Sequence, residues 1–498
     1  MPLVDERLGG DLLESLTIDP AAISEFDAPK AVLRFTDTAP RSMTPWRGLQ
    51  EVGPYDFNTT DRYLVRRFGQ CEIFCAYPAG RRDIMADLSK LSSYLINGYT
   101  KPKGSSGDTD APPFKTTFRL ENVTVSPEAE FLSYNLENLE PFRLVVQEAV
   151  EEAKERGNQA LVLVAIESHK SIASEKDVYA PLKRLLNRAD IPSQFLSDLV
   201  TDEEQLGVLY NIRSNQLVGW SLWNISLAIY TKLGGIPWAV TQGGAPDQAI
   251  QITVGLRFAP LSGERGFCLG IATVLDRFGR LIGTVPLERL HTYPADDTPV
   301  PGMSLSFEDS QRLVTEAFDK VLEDQRTQPI MQAKKPLSVV IHKLGPGAFH
   351  KAELAGIEQA KEDKLKGHTV FIAYVPVVAG ETLSAFGPSS VQRVMPEGRG
   401  LRLAEDTALL YTVASQRKFS TPITVKVQNL GDKDCAFTTV EHACEHIQTL
   451  CGLHWQMVSS GRMKLPADLH FAHKIAQAFA SDIHPRPESS LWGTQWYL

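Results

Sequence analysis

Four residues of three chemically capable types recur in a suggestive order. Tyr179-Ala180-Pro181-Leu182-Lys183-Arg184-Leu185-Leu186 is followed by Ile191-Pro192-Ser193-Gln194, and later by Asn224-Ile225 leading to Lys232-Leu233-Gly234-Gly235. Tyr179 and Lys183 are four apart, so on a helix they project from one face. The lysines offer charged donors, Gln194 an amide and Tyr179 a hydroxyl on an aromatic ring. A single lysine is ordinarily a solvated surface residue; the order and spacing of the whole set carry the information. Gly234 and Gly235, just past Lys232-Leu233, suit a helix end followed by a close backbone turn.

A second candidate is Cys444-x-His446 followed by Cys451-x-x-His454, which is rich in zinc-type ligands. Its spacing departs from the usual zinc-binding pairs and it falls on a segment of helical pattern, so a core helix is the better reading. Cys71 and Cys75 lie in Gln70 to Ala76 and read as small core residues of a strand.

These candidates need elements to position them. Leu144 to Gly157 has helical spacing, with Gly157 able to end the helix in the left-handed conformation. Ala160 to Ile166 is a continuous apolar run, as in a strand buried on both faces of a parallel sheet. Helices follow over Val178 to Ala189 and Ser221 to Lys232. That succession is the α/β pattern of a doubly wound sheet, whose ligand edge lies just after Ile166. From about Gln248 strands dominate: Ala249 to Phe258, Phe267 to Asp276, Arg280 to Val285, Ser338 to His342 and Thr369 to Val377. A turn at Arg277-Phe278-Gly279 joins two of them. The helices Ser306 to Asp324, Ala352 to Lys364 and Thr439 to Leu450 intervene. Residues 1–44 read as an extension or short strands, and Lys101 to Pro113 as an exposed, mobile loop.

A length of 498 residues predicts two or three domains. Hydrophobic residues at 43% and charged residues at 22% exclude disordered, collagen-like and coiled-coil classes. Apolar runs fall short of the ~18 residues of a membrane span, and the first residues lack a signal-peptide pattern, which predicts a cytoplasmic protein. Six cysteines are too dilute for a disulfide framework. A net charge of −9 argues against a general nucleic-acid binder, but not against a local basic pocket around one phosphate.

The set Tyr179, Lys183, Gln194 and Lys232 resembles the MID domain of Argonaute proteins, where a Tyr-Lys-Gln-Lys set grips the 5′ phosphate of a short guide strand. Chemistry supports each position. The two lysines supply charge, Gln194 an amide donor, and Tyr179 a hydroxyl and a face on which the first base stacks. Upstream, Gly48-Leu49-Gln50-Glu51-Val52-Gly53-Pro54-Tyr55-Asp56 resembles the segment that opens the shorter bacterial members. Downstream, Gly400 to Leu403, Thr421-Pro422-Ile423, His446 to Leu450, Leu465 to Lys474 and Trp496-Tyr497-Leu498 resemble landmarks of the PIWI domain. The resemblance covers about residues 45 to 498 and finds no PAZ-like segment, which implies a short prokaryotic Argonaute. The implied fold is α/β: an N-terminal extension over 1–44, a Rossmann-like MID domain with a linker-like region over 45–245, and an RNase H-like PIWI domain over 246–498. The family also implies that Leu498 supplies a C-terminal carboxylate to Mg²⁺ beside the guide phosphate.

Cleaving members use a carboxylate tetrad to hold two Mg²⁺ ions. Here the resemblance places Gly255 at the first aspartate position, in Ile252-Thr253-Val254-Gly255-Leu256-Arg257, and Leu344 at the third, in His342-Lys343-Leu344-Gly345. Only His473 matches the fourth. Asp276 reads as a turn residue rather than the glutamate finger. The implied protein has no nuclease activity of its own. It holds a short 5′-phosphorylated guide RNA, recognises a complementary single-stranded DNA, and signals to a separate APAZ-bearing effector with a TIR, sirtuin-like or nuclease domain in a prokaryotic defence system. Two alternatives stay open: a guided endonuclease with a non-standard metal site, and a stand-alone guided binder or repressor.

Overall fold

The computed structural model describes residues 24–29, 31–37, 44–61, 65, 68–166, 172–197, 199–200, 205–240, 250–260, 267–291, 304–325, 327–332, 334–345, 347–379, 396–413, 421–453, 455, 457–458 and 463–497. They form two compact units that are not consecutive stretches of chain. One comprises Leu33–Ala239, Trp455–Gly461 and Gln477–Leu498; the other comprises Met1–Val32, Val240–His454 and Arg462–Ala476. The division expected after residue 245 thus falls near residue 240, and residues 477–497 pack with the earlier half.

The first unit is built on a parallel sheet. Gln159–Ala165 is flanked in parallel by Gln70–Pro78 on one side and Ser193–Leu196 on the other. A strand paired on both edges and covered on both faces must be apolar throughout, and residues 160–165 are all buried. Asn122–Val125 and Leu132–Tyr134 add to the Gln70–Pro78 strand. Alternation along that strand buries Cys71, Ile73 and Cys75, as their spacing predicts; burial pushes the Cys75 thiol up to about 11. The helix Glu140–Glu155 lays Phe142, Val146, Val150 and Ala153 on the sheet at intervals of one turn. It ends at Gly157, whose φ of 81° lets Asn158 N–H return to the Ala153 carbonyl. The helix Ile172–Arg188 adds Val178, Leu182 and Leu186 to the same core.

The Lys101 to Pro113 segment is an exposed loop as expected, yet it is held at several points. Tyr99 and Ala111 exchange backbone hydrogen bonds, and Trp220 Nε1 and Trp223 Nε1 donate to the carbonyls of Gly107 and Asp110.

The second unit contains a nine-stranded sheet among the described residues. Ile250–Pro260, Phe267–Asp276 and Leu281–His291 form an antiparallel meander. On its other edge Ile250–Pro260 pairs in parallel with Leu337–Leu344, which pairs in parallel with Val370–Ala379. Three antiparallel strands continued by parallel ones fit the RNase H-like architecture that the resemblance implies. Asp276 makes the first hairpin turn: its carboxylate accepts from the N–H groups of Phe278 and Arg280, and Gly279 takes φ 82°. At the far edge Ser24–Asp27 pairs antiparallel with Arg399–Arg402, so this part of the expected extension is a strand of the sheet. Helices Phe307–Glu323 and Lys351–Lys364 contribute Leu313, Ala317, Phe318, Ile357 and Ala360 to the core on one face, while Val440–Leu450 contributes Val440, Ala443 and Ile447 on the other. No described helix is long and apolar enough to cross a membrane.

Candidate functional site

The short strand Ser193–Leu196 gathers all four residues singled out by spacing. Lys183, from the Ile172–Arg188 helix, donates from Nζ to Ser193 Oγ at 3.1 Å and lies 3.4 Å from the Ser193 carbonyl oxygen. Lys232, in the last turn of the Val218–Lys232 helix, donates to that same carbonyl at 2.9 Å. Gln194 follows Ser193 in the strand, and Tyr179 meets Phe195 edge-on with ring centroids 4.8 Å apart. Lys183 Nζ also lies 5.8 Å from the centre of the Phe195 ring.

Burial without a carboxylate partner sets this pair of lysines apart from Lys343, which is as buried but pairs with Glu353 at 2.8 Å. Lys183 and Lys232 are each 2% exposed, and no carboxylate among the described residues is within ion-pair distance of either. Burial brings the Lys183 ammonium down to about 7. Lys232 is held well below the usual lysine range by burial and then by the charge of Lys183. With both ammonium groups on one carbonyl, a separation of ~6 Å at an effective dielectric near 20 gives about 3 kcal/mol of mutual repulsion. A carbonyl and a hydroxyl cannot offset two buried charges. An anion can, and a terminal phosphate, with a charge of about −1.5 to −2 at neutral pH, matches two cations better than a singly charged internal phosphodiester.

Gln194 departs from its expected role. Its Nε2 donates to the Phe195 carbonyl at 2.9 Å, and its buried Oε1 has no hydrogen-bond partner among the described residues. Gln194 thus leaves one unmatched hard oxygen on the same short strand, a donor type that Mg²⁺ accepts. Burial raises the Tyr179 phenol to about 12, so it stays a neutral donor. Leu498, expected to carry a metal-binding carboxylate, lies outside the described residues.

In the other unit, Gly255 sits at the middle of its strand, in register with Thr273 on one side and His342 on the other. A Cβ placed there would lie 2.8 Å from both Cβ and Oδ2 of Asp468 and 2.7 Å from its carbonyl carbon. The start of the Ala467–Ala480 helix fills the space that a side chain at 255 would need. Asp468 is fully buried; its Oδ2 accepts from His342 Nδ1 at 2.7 Å, and its carbonyl accepts from Thr273 Oγ1 at 2.7 Å. Leu344 belongs to the apolar cluster under the sheet. His473 is half-buried and is pushed down by burial, then by Arg257 and Lys474, so its surroundings are cationic.

Of the zinc-type residues, His446 is fully buried with Gln251 Nε2 at 3.0 Å from Nδ1 and Thr253 Oγ1 at 3.2 Å from Nε2. It is neutral, driven well below the usual histidine range by burial and by His342. Cys444 and Cys451 pack in the apolar cluster, and His454 lies outside the described residues. No group of three or more metal-ligating side chains occurs among the described residues.

Two features went unseen in the sequence. Ser193 lay inside a quoted motif, but a backbone carbonyl that receives two distant lysines has no sequence signal. The His342–Asp468 pair joins residues 126 positions apart, both from quoted segments, which only the strand-to-helix packing brings together.

No protein-family model matches the chain. It is 22% identical over 481 residues to the protein argonaute of Cereibacter sphaeroides, an alignment covering 90% of this chain and 55% of that protein. Among solved structures it resembles Clostridium butyricum Argonaute bound to a guide DNA and a 19-mer target DNA, with TM-score 0.63, 16% identity and coverage of 96% of this chain and 55% of that one. It also resembles Aa-Ago with externally bound siRNA, with TM-score 0.58, 15% identity and coverage of 95% and 56%. A. aeolicus Argonaute gives TM-score 0.54, 14% identity and coverage of 91% and 53%. The chain thus spans about half the length of these relatives, and at such identities the structural likeness shows the fold.

Proposed function

We propose that this chain, an Argonaute homologue by sequence and fold, is a guide-directed nucleic-acid recognition subunit that seats the 5′ phosphate of a short guide on Lys183 and Lys232. The observation that carries this reading is the pair of buried lysines converging on Ser193, with no carboxylate counterion among the described residues. Phosphate supplies the missing negative charge, and Tyr179 presents its ring to the first base. The guide is RNA and the target complementary single-stranded DNA, read by base pairing rather than by side chains. Mg²⁺ at the guide phosphate belongs to the same reading: Gln194 Oε1, which has no partner among the described residues, would be a candidate oxygen donor to hold it, and the ion would screen the phosphate's own charge.

The second unit recognises without cutting. Three observations support this: Asp468 fills the space beside Gly255, Leu344 is apolar, and Arg257 and Lys474 make the neighbourhood of His473 unfavourable for a cation. Output therefore passes to another protein, an APAZ-bearing effector of a prokaryotic defence system in the cytoplasm.

Equilibrium binding of two RNAs of identical sequence, one 5′-phosphorylated and one 5′-hydroxylated, tests the central part. Tighter binding of the phosphorylated strand is expected, with the preference retained when the other end is varied. Equal affinity for the two strands would remove the basis of the proposal.

A further inference from the structure

We infer that Asp56 is a positioning residue for Lys232, setting the preference for a 5′ phosphate without touching it. This deepens, and rests on, the reading of Lys232 as a phosphate ligand. Asp56 closes the Gly53-Pro54-Tyr55-Asp56 motif, to which the phosphate pocket itself gives no role. It is 1% exposed, and its two carboxylate oxygens reach opposite sides of the Lys232 helix end. Oδ1 accepts from Tyr230 Oη at 2.5 Å, two residues before Lys232. Oδ2 accepts from the Ile236 N–H at 2.9 Å, four residues after it. The backbone repeats the tie: Tyr55 N–H donates to the Pro237 carbonyl and Asp56 N–H to that of Ile236.

The segment between these anchors is tightly determined. Gly234 takes φ 88°, and a Cβ at Gly235 would lie 2.4 Å from the Tyr230 ring. That ring in turn stacks on Phe118 with centroids 4.2 Å apart. The chain therefore turns back over Tyr230 immediately after Lys232, and Asp56 pins both arms of the turn. A lysine stem has four rotatable bonds, so the location of its ammonium depends on how firmly its Cα is held. Buried charge–phosphate contacts lose strength steeply with misplacement. An aspartate that fixes residues 230 and 236 fixes the origin of the Lys232 stem.

The test compares affinities of the full-length chain for 5′-phosphorylated and 5′-hydroxyl RNAs of one sequence, expressed as their ratio. Asp56→Ala removes both acceptors and should lower that ratio about tenfold, whereas Tyr230→Phe, which keeps the stacked ring and loses one bond, should lower it about threefold. Asp56→Asn can still accept from Ile236 N–H while its amide donates to the Tyr230 hydroxyl, so it should stay within about twofold of the native ratio. In a Lys232→Met background, Asp56→Ala should change the ratio no further. Equal weakening of both RNAs by Asp56→Ala and Tyr230→Phe, or a further loss in the Lys232→Met background, would show a merely structural role and overturn the inference. If Asp56→Ala does not fold, Tyr230→Phe decides by the same criterion. A Lys232→Met protein with the full native ratio would instead refute the reading of Lys232 itself.

Discussion

Lys183 and Lys232 are unlike the other described lysines because water has been taken from them and no carboxylate among the described residues replaces it. For Lys183 the folded value is about 7 against an ordinary 10.5. Between these values the unfolded chain binds a proton that the folded chain does not, so stability without guide should rise as pH increases from about 7 to about 10. Urea midpoints across that range should climb, and Lys183→Met should flatten the climb; a native profile no steeper than that of the variant would count against the lowered proton affinity of this buried lysine. A bound phosphate has the opposite effect, raising both lysines and drawing in protons. Affinity for a 5′-phosphorylated guide should therefore fall as pH rises above about 7, and that for a 5′-hydroxyl guide should not. At this scale the sequence was informative about residue type and order: Tyr179, Lys183, Gln194 and Lys232 do meet at one strand. Burial, the shared Ser193 carbonyl and the inward turn of the Gln194 amide were not legible, because they depend on residues about 40 positions apart in the chain becoming neighbours.

Among elements, the long periodic ones were the readable ones. The run Ala160 to Ile166 reads as a strand paired on both edges, since seven consecutive apolar residues bounded by polar ones suit a short strand buried on both faces. Residues 1–44 read as an extension or short strands, but the bounds and partner of Ser24–Asp27 were not legible: four residues of pattern half-buried, exposed, half-buried, exposed give no signal until Arg399–Arg402 offers them an edge. The contact between the Gly255 strand and the Ala467–Ala480 helix has a direct consequence. Since a Cβ at 255 meets Asp468 at 2.8 Å, Gly255→Ala should destabilise the protein by about 1–3 kcal/mol through overpacking. Gly255→Asp should cost more, because it also places a second carboxylate beside a buried one. Thermal or urea unfolding checks both, and a Gly255→Asp protein of native stability would mean that the helix start yields easily. The same contact argues that restoring aspartates at 255 and 344 yields little or no cutting.

For the whole molecule, one unit carries the candidate phosphate pocket, and the other carries Gly255 and Leu344 on its sheet and His473 on the Ala467–Ala480 helix, the residues that the resemblance sets at metal positions. Purified chain with guide, complementary DNA and Mg²⁺ or Mn²⁺ should leave the DNA intact on a denaturing gel, and any target-dependent activity should require a partner protein. Accumulating product that tracks the chain through purification would contradict this. The sequence anticipated two or three domains with a boundary after residue 245, but not that residues 24–27 join the later sheet while 477–497 pack with the earlier half; chain order does not encode such returns. The central claim, that a terminal phosphate completes the pair of buried lysines, is tested most directly by Lys183→Ala/Lys232→Ala measured against both forms of one guide. The account predicts a loss of about 3 kcal/mol or more in affinity for the 5′-phosphorylated RNA, from two charge-assisted contacts at about 1.5–3 kcal/mol each, with the 5′-hydroxyl RNA almost unchanged. Equal weakening of the two RNAs, in a variant that remains folded, would contradict it.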